Sequence, residues 1–489
     1  LGESLMDWVM PNINLELILP EIILCVFAIL ILILDPFLSK DKKIISGHLS
    51  WIALVLAFLA ALRLWDLQET TFSQMFLVDN YASFFKFIFL VGSFLIVCVS
   101  LSYLKREEIL HGEYFSLILF STLGMMLLAS GFDLVVIFLG LEIMSISLYV
   151  LTGFRRSDPK SNEASLKYFL MGAFATGFLL YGIVMIYGAV GSTNLEQIIR
   201  SIALGEVGSS LMVWAGAGLL LVGFGFKIAS VPFHMWVPDV YQGAPTPITA
   251  FISAGPKAAG FAALLRVFLF CFVTIKVDWT TIVWIMAVLT MTAGNIIAIA
   301  QSDIKRMLAY SSIAHAGYVL VALVAGGETG VSSALFYLLA YTFMNIGAFT
   351  VVILLGRKGE ENTGLDDYSG LGTRSPLLAI LMTVFMFSLA GFPPTAGFMG
   401  KFYVFSAAVK SGFVGLVIIG VLNSLISVYY YLRVVVIMFM HPPKAEAQRI
   451  PVAFGAALVL LISIWGVLQM GILPDSLLSL AQASVSSIF

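Results

Sequence analysis

Long apolar runs separated by short polar breaks recur along the chain, at about residues 15–35, 48–65, 84–104, 114–131, 132–153, 163–188, 207–230, 246–273, 280–300, 303–325, 331–356, 376–398, 412–440 and 450–470. A helix crosses the hydrocarbon core of a bilayer, roughly 30 Å, with about 20 apolar residues. The pattern therefore predicts an all-α integral membrane fold of about fourteen spanning helices. Lys and Arg near the run ends test that count, because basic residues accumulate on the inner side. If successive breaks alternate sides, one side collects Lys40, Lys42, Lys43, Lys105, Arg106, Arg155, Arg156, Lys160, Lys305, Arg306, Arg357, Lys358, Arg374, Lys444 and Arg449, and the other only Arg63, Arg200, Lys276 and Lys410. Fifteen against four supports the count and places both termini outside.

Two runs carry helix-breaking sequence beside a lysine: Lys227 before Val231-Pro232-Phe233, and Lys401 after Gly391-Phe392-Pro393-Pro394. Backbone freed at such breaks must line a cavity rather than face lipid. The two are the seventh and twelfth runs, and an offset of five turns the second copy upside down. Paired interrupted segments point to inverted repeats around a midplane ion path. One polytopic domain over 1–489 is expected, with a first repeat at 114–273, an inverted second at 280–440, and flanking helices at 15–104 and 450–470. The first run is too long for a signal peptide's apolar region and lacks a basic leader, so it should stay in the membrane.

Charge inside such runs is costly and usually functional. Glu142, about ten residues into the fifth run, is too central to reach the surface; it is either a structurally paired carboxylate or a group on a proton path. Lys227 could extend towards the inner face, or meet His234 and water at the break that Pro232 opens. Lys257, in Ala254-Gly255-Pro256-Lys257-Ala258-Ala259-Gly260, is the sharpest case. It is central and flanked by small residues that leave room for water, and burial disfavours the charged form of an amine, as a relay requires. Lys401 could end a half-channel, or pair with a loop carboxylate at a helix end. Lys167 sits one turn after Glu163, in the order that favours an i,i+4 pair; it is either a structural ion pair at the inner surface or a supporting group on the path. His315 could bridge Lys257 and Lys401 through water or be a satisfied core histidine.

Composition narrows the chemistry. Hydrophobic residues make up 60% of the 489 and charged ones 11%, with a mean hydropathy of +1.02. A formal charge of −2 without long basic runs gives no reason to expect nucleic acid. Cys25, Cys98 and Cys271 lie in separate runs without CxxC spacing, which argues against an iron–sulfur or zinc site. No P-loop, dinucleotide fingerprint or HExxH occurs. No cofactor is expected in this chain, and transport must be driven by a gradient or another subunit.

The run from Phe226-Lys227 through Val231-Pro232-Phe233-His234-Met235-Trp236-Val237-Pro238 to Pro247, with Lys257 ten residues on, closely resembles the hallmark of the antiporter-like subunits of bacterial respiratory complex I. The run Asp303-Ile304-Lys305-Arg306 to His315 does so too, and the resemblance covers essentially the whole chain. Among the three related types, L carries a long lateral helix and tail after the last span, and M has a glutamate where Lys401 stands. The stretch Leu389-Ala390-Gly391-Phe392-Pro393 to Gly400-Lys401-Phe402-Tyr403-Val404 is similar to the N type. The resemblance implies that Glu142 and Lys227 form the charged pair of a first half-channel, that Lys257 connects, and that Lys401 ends the second. Lys167, His234 and His315 would support them. It implies other subunits holding NADH, FMN, iron–sulfur clusters and quinone, with M-, K- and J-type subunits as membrane partners in the bacterial inner membrane. The rival readings are a subunit of a multi-component cation/proton antiporter, a hydrogenase- or plastoquinone-linked relative, and a scaffold whose charges only pair.

Overall fold

The computed structural model describes residues 13–205, 207, 210–443 and 450–486. Lys444 and Arg449 of the basic tally lie outside them. In chain order the helices are α1 (Leu19–Leu34), α2 (Ile44–Leu62), α3 (Asn80–Arg106), α4 (Gly112–Ser130), α5 (Leu134–Thr152), α6 (Pro159–Val190), α7 (Leu195–Ala203), α8 (Leu211–Ile228), α9 (Val237–Gly243), α10 (Thr246–Arg266), α11 (Lys276–Ile299), α12 (Ile304–Ala325), α13 (Gly327–Leu355), α14 (Leu371–Arg374), α15 (Pro376–Ala390), α16 (Ala396–Lys410), α17 (Val414–Met440), α18 (Phe454–Ile472) and α19 (Asp475–Val485). Among the described residues thirteen helices are long and apolar enough to cross a membrane, counting α10 together with the π-helical turn Val267–Cys271 that extends it. The twelfth run is broken: α15 takes up most of it, and α16 begins at its end and continues beyond it to Lys410.

Several helices start where an Asp or Asn side chain accepts a backbone N–H of the first turn: Asp79 for α3, Asp133 for α5, Asp158 for α6, Asn194 for α7 and Asp303 for α12. The fourth and fifth runs abut in the sequence. Residues 131–133 separate them by pairing outward, Gly131 bridging to Phe76 and Asp133 to Asn194. The fold is nearly, not wholly, helical, because β1 (Glu69–Thr71) and β2 (Phe76–Val78) form an antiparallel hairpin with Glu69 opposite Val78. The surface helix α7 was not expected from run length. Its buried residues Leu195, Ile198 and Ile202 recur every three to four positions, a one-faced helix too short to span.

The core lies along α10, α12 and α13. Every residue of Thr246–Arg266 is buried, whereas α6 and α17 expose Leu166, Phe174, Val184, Leu425 and Tyr429 in the manner of a lipid-facing perimeter. The longest break, 357–375, is polar as expected and is pinned at Glu361. That carboxylate accepts from Tyr103 (3.0 Å), Arg155 (2.7 Å) and the fully buried Lys305 (2.7 Å). Nothing in the sequence marked Glu361 for this role.

Candidate functional site

Both expected breaks are present, and they are built alike. Helix α8 stops at Ala229, whose φ of +64° is left-handed and whose N–H returns to the Gly225 and Phe226 carbonyls; Pro232 follows three residues on. Helix α15 stops at Gly391, φ +92°, with Pro394 three residues on. The Val231–Pro232 and Pro393–Pro394 peptides are both cis. A helix end leaves carbonyls without partners, and the two breaks satisfy them differently. At the first, the Trp236 indole donates to the Phe226 carbonyl (3.0 Å), and the Val231 N–H finds the Thr290 hydroxyl (2.9 Å). At the second, the Lys401 ammonium donates to the Leu389 and Ala390 carbonyls (3.2 and 2.9 Å) and to Ser424 Oγ (2.9 Å). Lys401 thus caps a helix C-terminus, where cations are favoured. It does so through carbonyls and not through the loop carboxylate considered from sequence. It lies at the base of a cleft of about 680 Å³ flanked by Phe392, Phe402 and Leu425.

Lys257 projects from α10 onto α12, donating to the Ser312 carbonyl (2.7 Å) and to its hydroxyl. One residue earlier on α12, Ser311 is bonded to the Tyr431 hydroxyl. Tyr431 also reaches His315 Nε2 (3.1 Å), and His315 Nδ1 is bonded to Tyr337 (2.7 Å). From the adjoining Tyr430, with ring centroids 4.4 Å apart, the hydroxyl donates to Asn295 (2.9 Å). The Asn295 amide donates to Tyr318 (3.2 Å), over whose ring the Lys401 ammonium sits at 4.8 Å. Polar side chains therefore lead from Lys257 to Lys401 through the most buried part of the bundle. His315 is central to that series, within electrostatic reach of both lysines. It is held by two phenols, whose interposition the sequence did not reveal.

The other expected residues are placed less directly. The Lys227 ammonium is buried without a hydrogen-bond partner among the described residues and lies over the rings of Tyr149 (5.7 Å) and Tyr168 (5.4 Å). Glu142 is within its electrostatic reach but makes no direct ion pair with it, and the Glu142 Oε1 is likewise unpartnered. Glu142 shares a face of α5 with the exposed Leu139 and Ile146, at the rim of the bundle. His234 lies half-buried in the first break with Nδ1 unpartnered. Lys167 stands apart, pairing with Glu163 (2.7 Å), as its spacing suggested, and with Asp239 (2.8 Å), which also holds Arg306 (2.7 Å).

Two buried cations were missed because they sit in runs read as simply apolar. Lys86 lies 2.8 Å from Glu21 Oε1, an ion pair not aligned as a hydrogen bond. Arg266 grips both oxygens of Asp79 (2.9 and 3.0 Å), which also caps α3.

Residues 131–427 match a family model described as NADH:quinone oxidoreductase/Mrp antiporter, transmembrane. NADH-quinone oxidoreductase subunit N of Trichlorobacter lovleyi is 55% identical over 480 residues, 98% of each chain, and subunit N 1 of Solibacter usitatus is 46% identical over 471 residues, 96% of this chain and 97% of that one. A chain of respiratory complex I from Thermus thermophilus with bound aureothin superposes with a TM-score of 0.81 at 35% identity, over 95% of this chain and all of that one. A chain of the Mrp complex from Dietzia superposes with a TM-score of 0.85 at 20% identity, over 97% and 98%, a likeness of fold.

Proposed function

Because the chain belongs to the NADH:quinone oxidoreductase/Mrp antiporter transmembrane family, we infer that it is a proton-translocating membrane subunit of an NADH:quinone oxidoreductase, of the type its relatives name subunit N. The observation that carries this reading is the polar series from Lys257 through Ser312, Ser311, Tyr431 and His315 towards Lys401, in the interior of a membrane bundle. Hydroxyls, imidazoles and amines both donate and accept, so with water bridging the step from Ser312 to its chain neighbour Ser311 a proton can be handed along them with local reorientation.

Glu142 and Lys227 form the input half of the path, Lys257 links it to the output half, and Lys401 ends it at the second break. Water entering beside His234 joins Glu142 to Lys227 across the gap the side chains leave. The likeness of the two breaks supports inverted repeats at 114–273 and 280–440. Redox chemistry at NADH, flavin, iron–sulfur clusters and quinone belongs to other subunits, with M-, K- and J-type chains as membrane neighbours. Moving one charge against 100 mV costs about 2.3 kcal/mol, within the range that changes in charge pairing at a buried amine supply. The surplus of basic breaks on one side supports a bacterial inner-membrane orientation with both termini outside.

A clean preparation from membranes should carry flavin and iron–sulfur subunits in fixed ratio to this chain, while the chain alone binds neither NADH nor flavin. Sodium-dependent exchange without quinone reduction would transfer it to the antiporter branch of the family. For orientation, a cysteine replacing Lys358 should be shielded from impermeant reagent added outside.

A further inference from the structure

Away from the proton path, α3 and α13 end, and α15 and α18 begin, on the same side of the bundle, the side with the basic surplus. A cavity of about 570 Å³ lies there, and it shares Arg374, Ile450 and Val452 with a groove of about 770 Å³ that continues between α15 and α18. The two differ in character along their length. The mouth carries Arg106, Arg357, Lys358 and Arg374; the groove beyond is apolar, with Leu377 and Leu461 each about two-thirds exposed along it. Among the described residues no carboxylate lines either space. Arg106 is engaged by Glu107 and the Ile353 and Gly356 carbonyls, and Lys358 by Glu108. Arg357 and Arg374 have no counter-ion among the described residues, and the Arg374 Nε is buried without a hydrogen-bond acceptor.

We infer that this groove holds one anionic phospholipid of the adjoining leaflet, its phosphate on Arg374 and Arg357 and an acyl chain along α15 and α18. A guanidinium N–H buried without an acceptor, at a space with no carboxylate among its described lining, calls for an anion. A soluble anion would leave the apolar groove unfilled, whereas a lipid matches both parts. A zwitterionic headgroup brings its own ammonium against the arginines, so a net negative one is selected; basic pockets between spanning helices on the inner side recognise such headgroups.

The test places a photoreactive benzoylphenylalanine at Leu461 in the assembled complex in native membranes and identifies the captured molecule by mass spectrometry. Phosphatidylglycerol or cardiolipin should be enriched several-fold over its share of the bulk lipid. Arg374→Gln should lower the enrichment about fivefold, the weight of one basic residue at a membrane surface. Arg357→Gln, at an exposed position, should act in the same direction, and Lys410→Gln should leave it unchanged. Capture in bulk proportions, an adduct to another protein, loss of capture in excess inorganic phosphate, or an enrichment indifferent to both arginines overturns the proposal.

Discussion

Lys86 and Arg266 are as deeply buried as Lys257 and Lys401, between 0% and 5% exposed, yet the first two face carboxylates and the last two face only carbonyls, hydroxyls and aromatic rings. The difference separates two uses of buried charge. A cation paired with a buried carboxylate cannot give up its proton without stranding the acid, so the pair behaves as a fixed clamp. An ammonium held by neutral groups leaves nothing uncompensated when it becomes an amine, so it can cycle between charged and neutral. The pairs sit at the flank, where α1 meets α3 and α3 meets the end of α10; the unpaired lysines sit at the breaks and along the central series.

The largest effect expected from this contrast is on the clamp. Removing one partner of a buried pair costs about 3–5 kcal/mol, so Arg266→Met should sharply reduce the amount of assembled complex, while the complexes that form pump at the normal rate per complex. Asp79→Leu combined with Arg266→Met should recover much of the assembly, since neither charge is then stranded. Normal assembly with lost pumping in Arg266→Met would put this residue on the path and dissolve the distinction.

Lys257 makes the opposite forecast. Lys257→Ala should assemble normally and lose about tenfold or more of its proton translocation, the scale of a displaced proton-transfer group. Lys257→Arg should be impaired as well, because a guanidinium stays protonated where an ammonium can release its proton. Translocation per assembled complex in membrane vesicles decides the matter. Wild-type pumping by the alanine variant, or an arginine variant that pumps normally while alanine fails to assemble, would return Lys257 to the class of Arg266.

What could be read from the residues and what could not follows the same division. Apolar run length carries nearly the whole layout of spanning helices, because it is local in the chain. The two breaks were legible since proline and glycine act through their own backbone. Glu142, Lys227, Lys257 and Lys401 stood out because charge contrasts with its immediate neighbours. Partnership across the bundle was not legible: Tyr431 and Tyr337 flank His315 from 116 and 22 residues away, and Glu361 joins three distant basic or hydroxyl groups. Lys86 and Arg266 contrast with their neighbours in the same way, but only their carboxylates, far off in the chain, reveal that they are clamps.

Lys167 should show the smallest effect, and it sharpens the contrast from the exposed side. Its side chain is 42% exposed and shares its charge with two acids, Glu163 and Asp239, so by its pairing it belongs with the clamps. Ion pairs in water contribute about 0.2–1 kcal/mol, and Asp239 would keep Arg306. Lys167→Met should therefore leave translocation within about twofold and lower thermal stability only slightly. Partial burial tends to raise the Asp239 carboxyl, but hydrogen bonds and charge from Lys167 and Arg306 outweigh it and hold the group below its ordinary value. A carboxyl depressed in the folded state contributes stability that is complete above its unfolded value, about 3.9, and is lost as pH falls through the depressed one. The slight difference between Lys167→Met and the unsubstituted protein should then stay constant from neutral pH down to about pH 5 and narrow only in stronger acid. A difference in pumping that grows between pH 8 and pH 6 would instead mark Lys167 as a titrating member of the path.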